Sequence, residues 1–245
     1  MKVNVHGGHA KTGGGASGAV GLIRESDEDR KVKNEVIKLL AEAGHTVYDC
    51  TVDKGSQSSV LRDIVKKCNA HTVDLDVSIH FNAGASGKKD GKTTGTEVLI
   101  HSNSSKSKAQ AEAICKAIAA LGFKNRGVKI RPDLYVLKHT NAPALLVECC
   151  FVDDPEDVKL YDAKKMAQAI VKGITGKMVK TSKKTAGLVR ITTEDLNVRA
   201  GAGVSNQVND VVHKGEVYTI VEKKGGWGRL KSGAGWINLS YTEVI

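Results

Sequence analysis

Aromatic residues make up only 4% of this 245-residue chain, and proline occurs three times. With 26 glycines and a charged fraction of 26%, the composition excludes collagen-like, proline-rich and disordered chains. No apolar run approaches the ~20 residues that span a bilayer, so no integral membrane protein is expected. The opening MKVNVHGGHAK is too short and too polar for a signal peptide's apolar region, so none is expected either. The five cysteines (Cys50, Cys68, Cys115, Cys149, Cys150) include no CxxC pair. They read as buried thiols of a protein made in a reducing cytosol.

Basic side chains exceed acidic ones, 37 against 27. Such an excess favours polyanions: nucleic acid, anionic lipid or an acidic cell wall. Residues 176–245 hold 11 basic and 6 acidic side chains, leaving 26 and 21 to residues 1–175. The excess of five in each part describes two folded surfaces, not a basic tail. No basic patch interleaved with aromatics suggests a nucleic-acid platform.

Residues 1–175 alternate short apolar runs with helical periodicity, the pattern of an α/β layer fold. Strands are predicted at Lys2–His6, Thr46–Cys50, Val73–Phe81, Glu97–His101, Leu134–Leu137 and Ala144–Phe151. Helices are predicted at Glu25–Ala43, Ser58–Asn69, Lys106–Leu121 and Asp162–Ile174. In the first helix Val32, Val36, Ile37 and Leu40 fall at i, i+4, i+5 and i+8, and Gly44 supplies the stop. The expectation is a mixed sheet of about six strands with helices on its faces. Gly84–Thr94 reads as a surface loop and residues 176–186 as a lysine-rich linker. From residue 187 to 245 the runs LVRIT, LNVR, VYTIV, WGRL and GWI, spaced by glycine-rich turns, suggest a small all-β barrel.

Four residues suggest chemistry. His9 follows the first strand within HGGH, and His80 closes a strand in SIHFNA. Glu25 opens a helix, where the dipole favours its ionised form. Glu148 lies inside the apolar run ALLVECCF, where a carboxylate is costly unless paired, protonated or near a metal. Two imidazoles, a carboxylate and an open position are what catalytic zinc uses, with a further carboxylate to move protons. A lone histidine is more often a surface or satisfied core residue than a ligand, and no HExxH-type signature is present. Spacing alone therefore leaves both readings open.

The motifs VNVHGGH, GLIRESD, LRDIVKKCNAH, DLDVSIHFNA, GTEVLIHS and RGVKIRPDLYVLKHTNAPALLVECCFVDDPEDVKLY occur in order along residues 1–175. Through them this segment resembles the zinc-dependent N-acetylmuramoyl-L-alanine amidases of the amidase-3 type. The resemblance implies a Zn2+ held by His9, Glu25 and His80, with Glu148 as catalytic acid/base. It implies hydrolysis of the amide joining N-acetylmuramic acid to L-alanine in bacterial peptidoglycan. One departure stands out: His6 replaces an aspartate usual in the family's first motif, and is either a supporting group or a competing ligand.

Glu28 and Asp29 are read as a solvated helix face and as fallback ligands. Asn82 either orients a ligand or caps structure, and Cys149 and Cys150 are read as packing residues. His45, His71, His101, His139 and His213 match no ligand position.

Residues 187–245 resemble bacterial SH3 (SH3b) domains through the LNVR start, the KGE turn, the WGRL strand and the GWI end. Such domains usually bind peptidoglycan. Trp227 and Trp236 are either stacking platforms or packing residues.

A chain without a leader that attacks an external wall suggests a phage or prophage endolysin, made in the host cytoplasm and released with a holin. A non-catalytic wall binder with a decayed amidase fold is the alternative. A nucleic-acid binder is the third class, and it gives Glu148 no role.

Overall fold

The computed structural model describes residues 1–84, 93–178 and 187–245. Most of the expected linker, residues 179–186, and most of the expected loop at Gly84–Thr94 lie outside these residues. The chain divides into two compact units: Lys2–Val36 with Cys50–Met178, and Met1 with Ile37–Asp49 and Val179–Ile245.

In the first unit five strands form a mixed sheet. They are β1 (Lys2–Gly7), β3 (Leu75–Asn82), β4 (Thr96–Ile100), β5 (Asn125–Ile130) and β6 (Ala144–Phe151), in the order β5-β4-β6-β3-β1. β1, β3 and β6 run parallel, while β4 is antiparallel to β6 and parallel to β5. The run ALLVECCF thus lies between two neighbours, as its unbroken hydrophobicity implies. Its register sets His80 opposite Glu148 on one side and Glu97 opposite Glu148 on the other.

Helices complete the layers: α1 (Glu25–Glu42), α2 (Gln57–Asn69), α3 (Lys108–Ala119), α4 (Tyr135–His139), α5 (Pro155–Leu160) and α6 (Ala163–Thr175). Glu25, Asp27 and Glu28 place negative charge in the first turn of α1, where unpaired N–H groups favour it. Val32, Val36, Ile37 and Leu40 are fully buried, as their spacing predicts. Among the described residues no helix is long and apolar enough to cross a membrane. All five cysteines are free and buried.

The second unit contains β2 (Thr46–Asp49) and β7–β13: Gly187–Ile191, Asp195–Arg199, Val208–His213, Glu216–Lys224, Trp227–Leu230, Trp236–Asn238 and Thr242–Val244. Its ladders are antiparallel throughout the described residues. Val189, Ile191, Leu196, Val198, Val212, Ile220, Leu230 and Ile237 form one buried cluster.

Several expectations need correction. Leu134–Leu137, expected as a strand, gives way to α4, one helical turn that buries Val136 and Leu137. A four-residue apolar run carries no periodicity long enough to separate the two states. β5 went unpredicted because an edge strand needs little hydrophobicity, and NRGVKI is largely exposed. β9 is missed for the same reason, with only one of its six residues buried. Thirteen strands are present among the described residues, more than the sequence reading supplied for its sheet of about six strands and its barrel.

Close packing of α3 on α6 depends on Gly173. A Cβ there would fall 2.5–2.6 Å from Ile114 atoms, two of them backbone. Gly173→Ala is therefore expected to destabilise by about 1–3 kcal/mol, overpacking outweighing the ~1 kcal/mol gain in helix propensity. A denaturant midpoint at or above wild type would contradict that close approach.

Candidate metal centre and acid/base site

His9 lies just beyond β1, on a turn held to β3 by the Gly8 N–H donating to the Ile79 carbonyl at 3.0 Å. Gly8 is required by contact: a Cβ at this position would lie 1.9 Å from the His80 ring. Gly18, at φ +73°, is required twice over, since a Cβ would also lie 2.5 Å from Glu25 Oε2. Through these two glycines, backbone passes close enough for two imidazoles and a carboxylate to converge.

Glu25 is 3% exposed. Its Oε1 lies 3.1 Å from His9 Nε2 and 3.0 Å from His80 Nδ1, and it accepts the Phe81 N–H at 3.0 Å. Its Oε2 accepts the Ala19 N–H at 2.8 Å. Burial opposes ionisation of this carboxyl. Hydrogen bonding to His80 and His9, with their positive charge, outweighs burial and holds it well below the usual carboxylate range. For His9, burial works against the charged ring, but Glu25 more than compensates and the pKa is raised.

The ligand atoms of His9, Glu25 and His80 all lie within 4.8 Å of one another, a group able to hold a metal ion. Donors about 2 Å from a tetrahedral ion sit about 3.3 Å apart, close to the 3.1 and 3.0 Å that separate Glu25 Oε1 from His9 Nε2 and His80 Nδ1. The structure thus brings together the three residues expected as ligands.

Glu148 is partly buried, but its Oε2 is shielded from solvent and has no hydrogen-bond partner. Burial, then the negative charges of Glu25 and Glu97, push its pKa up to about 8 against a weaker pull from Arg131. Glu148, His9, His80 and Gly8 line one cleft of about 240 Å³. Val60 and Leu61 of α2 and Tyr135 and Val136 of α4 also line it. Arg131 lies on the lining too, its guanidinium paired with Asp133 at 2.9 and 2.7 Å.

The secondary candidates fall elsewhere. His6 is buried, with Nδ1 3.2 Å from the Gly7 carbonyl and 3.4 Å from Ser78 Oγ, and is not in the donor group. The solvated-face reading of Glu28 and Asp29 fails. Asp29 is fully buried against Arg30, and Glu28 bonds Lys31 and the Tyr161 hydroxyl. Neither is in the donor group. Asn82 donates to Glu97 Oε1 at 2.9 Å, and Arg126 donates to Glu97 Oε2 at 2.9 Å. Cys149 and Cys150 are fully buried, and burial raises both thiols, which suits packing and not nucleophilic attack.

Sequence reasoning missed Glu97, Arg30 and Arg131. Glu97 and Arg131 lay inside motifs already noticed, GTEVLIHS and RGVKIRPD. No one-dimensional pattern shows which side chains those residues face.

Residues 3–178 match the family described as N-acetylmuramoyl-L-alanine amidase, Amidase_3. The chain belongs to this family. An uncharacterized protein of Clostridium perfringens is 38% identical over 165 residues, covering 67% of this chain and 48% of the relative. The endolysin of Bacillus phage SPP1 is 33% identical over 168 residues, covering 66% and 59%. The chain spans about half the length of the curated relatives it matches.

Among solved structures, the catalytic domain of an endolysin targeting Clostridia difficile superposes with a TM-score of 0.66 at 26% identity. That match covers 74% of this chain and 99% of the other. The catalytic domain of CwlV, an N-acetylmuramoyl-L-alanine amidase from Bacillus (Paenibacillus) polymyxa, gives 0.61 at 28% identity, covering 74% and 100%. Membership of the amidase family thus agrees with the mixed sheet and its flanking helices.

The raised pKa of Glu148 has a stability consequence. Its carboxyl ordinarily titrates near 4.5 and here near 8, so the folded metal-free chain holds a proton that the unfolded chain releases over that range. The contribution is present below pH 4.5 and lost as pH rises through 8. Glu148→Gln, which cannot ionise, is therefore expected to gain thermal stability relative to wild type between pH 5 and pH 8 in chelator. A wild-type-minus-variant difference in Tm that is flat across this range would refute the buried, unpartnered carboxyl.

Proposed function

We propose that this chain is a zinc-dependent peptidoglycan hydrolase that cleaves the amide between the lactyl group of N-acetylmuramic acid and L-alanine of the stem peptide. The observation that carries the reading is the convergence of three metal-donor side chains, two of which, His9 and His80, line one cleft with a carboxyl whose shielded oxygen has no partner, Glu148. The donor set fits zinc: two imidazoles and one carboxylate, with the cleft beside them for water and substrate. When bound there, zinc supplies Lewis-acid chemistry, lowering the pKa of a water toward about 7 and polarising the amide carbonyl.

The residues of the chain do the remaining work. Glu25 is held ionised by its neighbours, so it offers a full negative charge without needing to lose a proton first. Glu148 Oε2 takes a proton from the water as its oxygen bonds the amide carbon, then delivers it to the nitrogen as the C–N bond breaks. A cation held at the donors would oppose the burial and the carboxylate charges that raise the Glu148 pKa to about 8, and so would favour the ionised form that accepts a proton. Glu97, fixed by Asn82 and Arg126, keeps that pKa from falling too far. Val60, Leu61 and Val136 supply the apolar walls that limit water.

Residues 1–175 form the catalytic part on this reading, 176–186 the linker, and 187–245 an SH3b module that holds the enzyme on a Gram-positive wall. The antiparallel strands and single apolar cluster of the C-terminal residues support such a module. Similarity to a phage endolysin supports a lytic role after holin-dependent release, with peptidoglycan and not nucleic acid or membrane as partner.

The test is digestion of purified Gram-positive peptidoglycan, scoring freed L-alanine amino groups against freed reducing sugars. Amino groups alone should rise, and both chelator and Glu148→Ala should reduce the rate by about 10²–10⁴-fold. Reducing ends instead would make the chain a glycosidase. Wall binding without any product would make it the non-catalytic binder.

A further inference from the structure

His9 belongs to a glycine-rich stretch between β1 and α1 that is held by single backbone bonds, among them the Gly8 N–H to the Ile79 carbonyl and the Ala10 N–H to the Ala16 carbonyl. The guanidinium of Arg30, on the helix that Glu25 opens, reaches it as well. Arg30 Nη2 donates to the His9 carbonyl at 2.9 Å and to Asp53 Oδ1 at 2.8 Å. Nη1 donates to the Ser26 carbonyl and to Asp29 Oδ1, both at 3.0 Å, and Nε donates to Asp53 Oδ1 at 3.2 Å. The side chain is 17% exposed, and Asp29 behind it is fully buried.

We infer that Arg30 is a positioning residue that sets the separation of His9 from Glu25 and thereby the affinity of the site for its metal. Two of the three donors are joined through this one rigid fork: Glu25 by the first turns of α1, His9 by its own carbonyl. Asp53 anchors the far side. Its backbone carbonyl accepts the Lys11 N–H at 3.2 Å, and Gly55 and Gly14 bond at 2.8 Å, so residues 11–14 are tied to the same segment. That segment leads into α2, whose Val60 and Leu61 line the cleft. The planar five-donor geometry matters here, because a lysine can keep the charge but cannot meet carbonyl and carboxylate acceptors together. Groups that orient a ligand from behind typically change metal affinity about 10–100-fold when removed.

This inference rests on the reading of His9, Glu25 and His80 as zinc ligands, and the test separates the two. Zinc affinity of the full chain is measured by competition with a chromophoric chelator, and the cobalt-loaded protein is followed by visible absorption. Wild type should bind one zinc tightly; if it binds none, the ligand reading itself fails before any substitution is made, and the inference falls with it. In Arg30→Met combined with Asp29→Asn, which leaves no unpaired buried charge, the dissociation constant should rise about 10–100-fold with an altered cobalt spectrum.

Arg30→Lys should fall between that variant and wild type. Asp53→Asn, at a side chain 59% exposed and so tolerant of change, should weaken binding a few-fold. Folding of each is checked by circular dichroism in chelator. If the double variant fails to fold, Arg30→Lys and Asp53→Asn decide. Folded variants with wild-type zinc affinity and an unchanged cobalt spectrum would reduce Arg30 to a structural residue and overturn the inference.

Discussion

Glu25 carries its charge where water scarcely reaches it, and the surrounding chain is arranged to answer that charge. Two imidazoles and two backbone N–H groups face its oxygens, and without them burial alone would drive the carboxyl to its neutral form. The same arrangement dictates the glycines. A side chain at position 8 would occupy the space of the His80 ring, and one at position 18 would press on Glu25. The loop between β1 and α1 is thus shaped less by its own preferences than by what must fit against it.

The sheet adds a second constraint. Parallel pairing of β3 with β6 places Glu148 level with His80, and antiparallel pairing of β6 with β4 places Glu97 level with Glu148. Three carboxyl groups in so small a volume cannot all ionise freely. Glu25 is answered by histidines and Glu97 by Asn82 and Arg126, which leaves Glu148 as the one that holds a proton. Environment thus sets chemically identical groups apart: the Glu25 carboxyl is held ionised, while the Glu148 pKa is raised to about 8.

Much of this was legible in the sequence, and the parts that were not have physical reasons. Long amphipathic helices such as Glu25–Glu42 and the unbroken apolar run of β6 announce themselves, because burial over many residues leaves a periodic trace. α4 spans five residues and β5 lies exposed at an edge, so neither leaves such a trace. The candidate site residues stand at positions 9, 25, 80 and 148, too far apart for any spacing rule. The ordered family motifs pointed to them, and only the folded chain shows that His9, Glu25 and His80 converge. Asp29 was misread as solvated because acidic residues one turn into a helix usually are. Arg30 was overlooked because its role lies in which carbonyls it meets, and sequence does not display those.

The central claim is that His9, Glu25 and His80 bind one zinc ion beside Glu148. Diffraction from crystals of the zinc-loaded chain at the zinc absorption edge tests it most directly. The account predicts one anomalous peak about 2.0–2.2 Å from His9 Nε2, Glu25 Oε1 and His80 Nδ1, with Glu148 nearby but not bound to it. A peak ligated by other residues, or no peak at this cleft, would contradict the account.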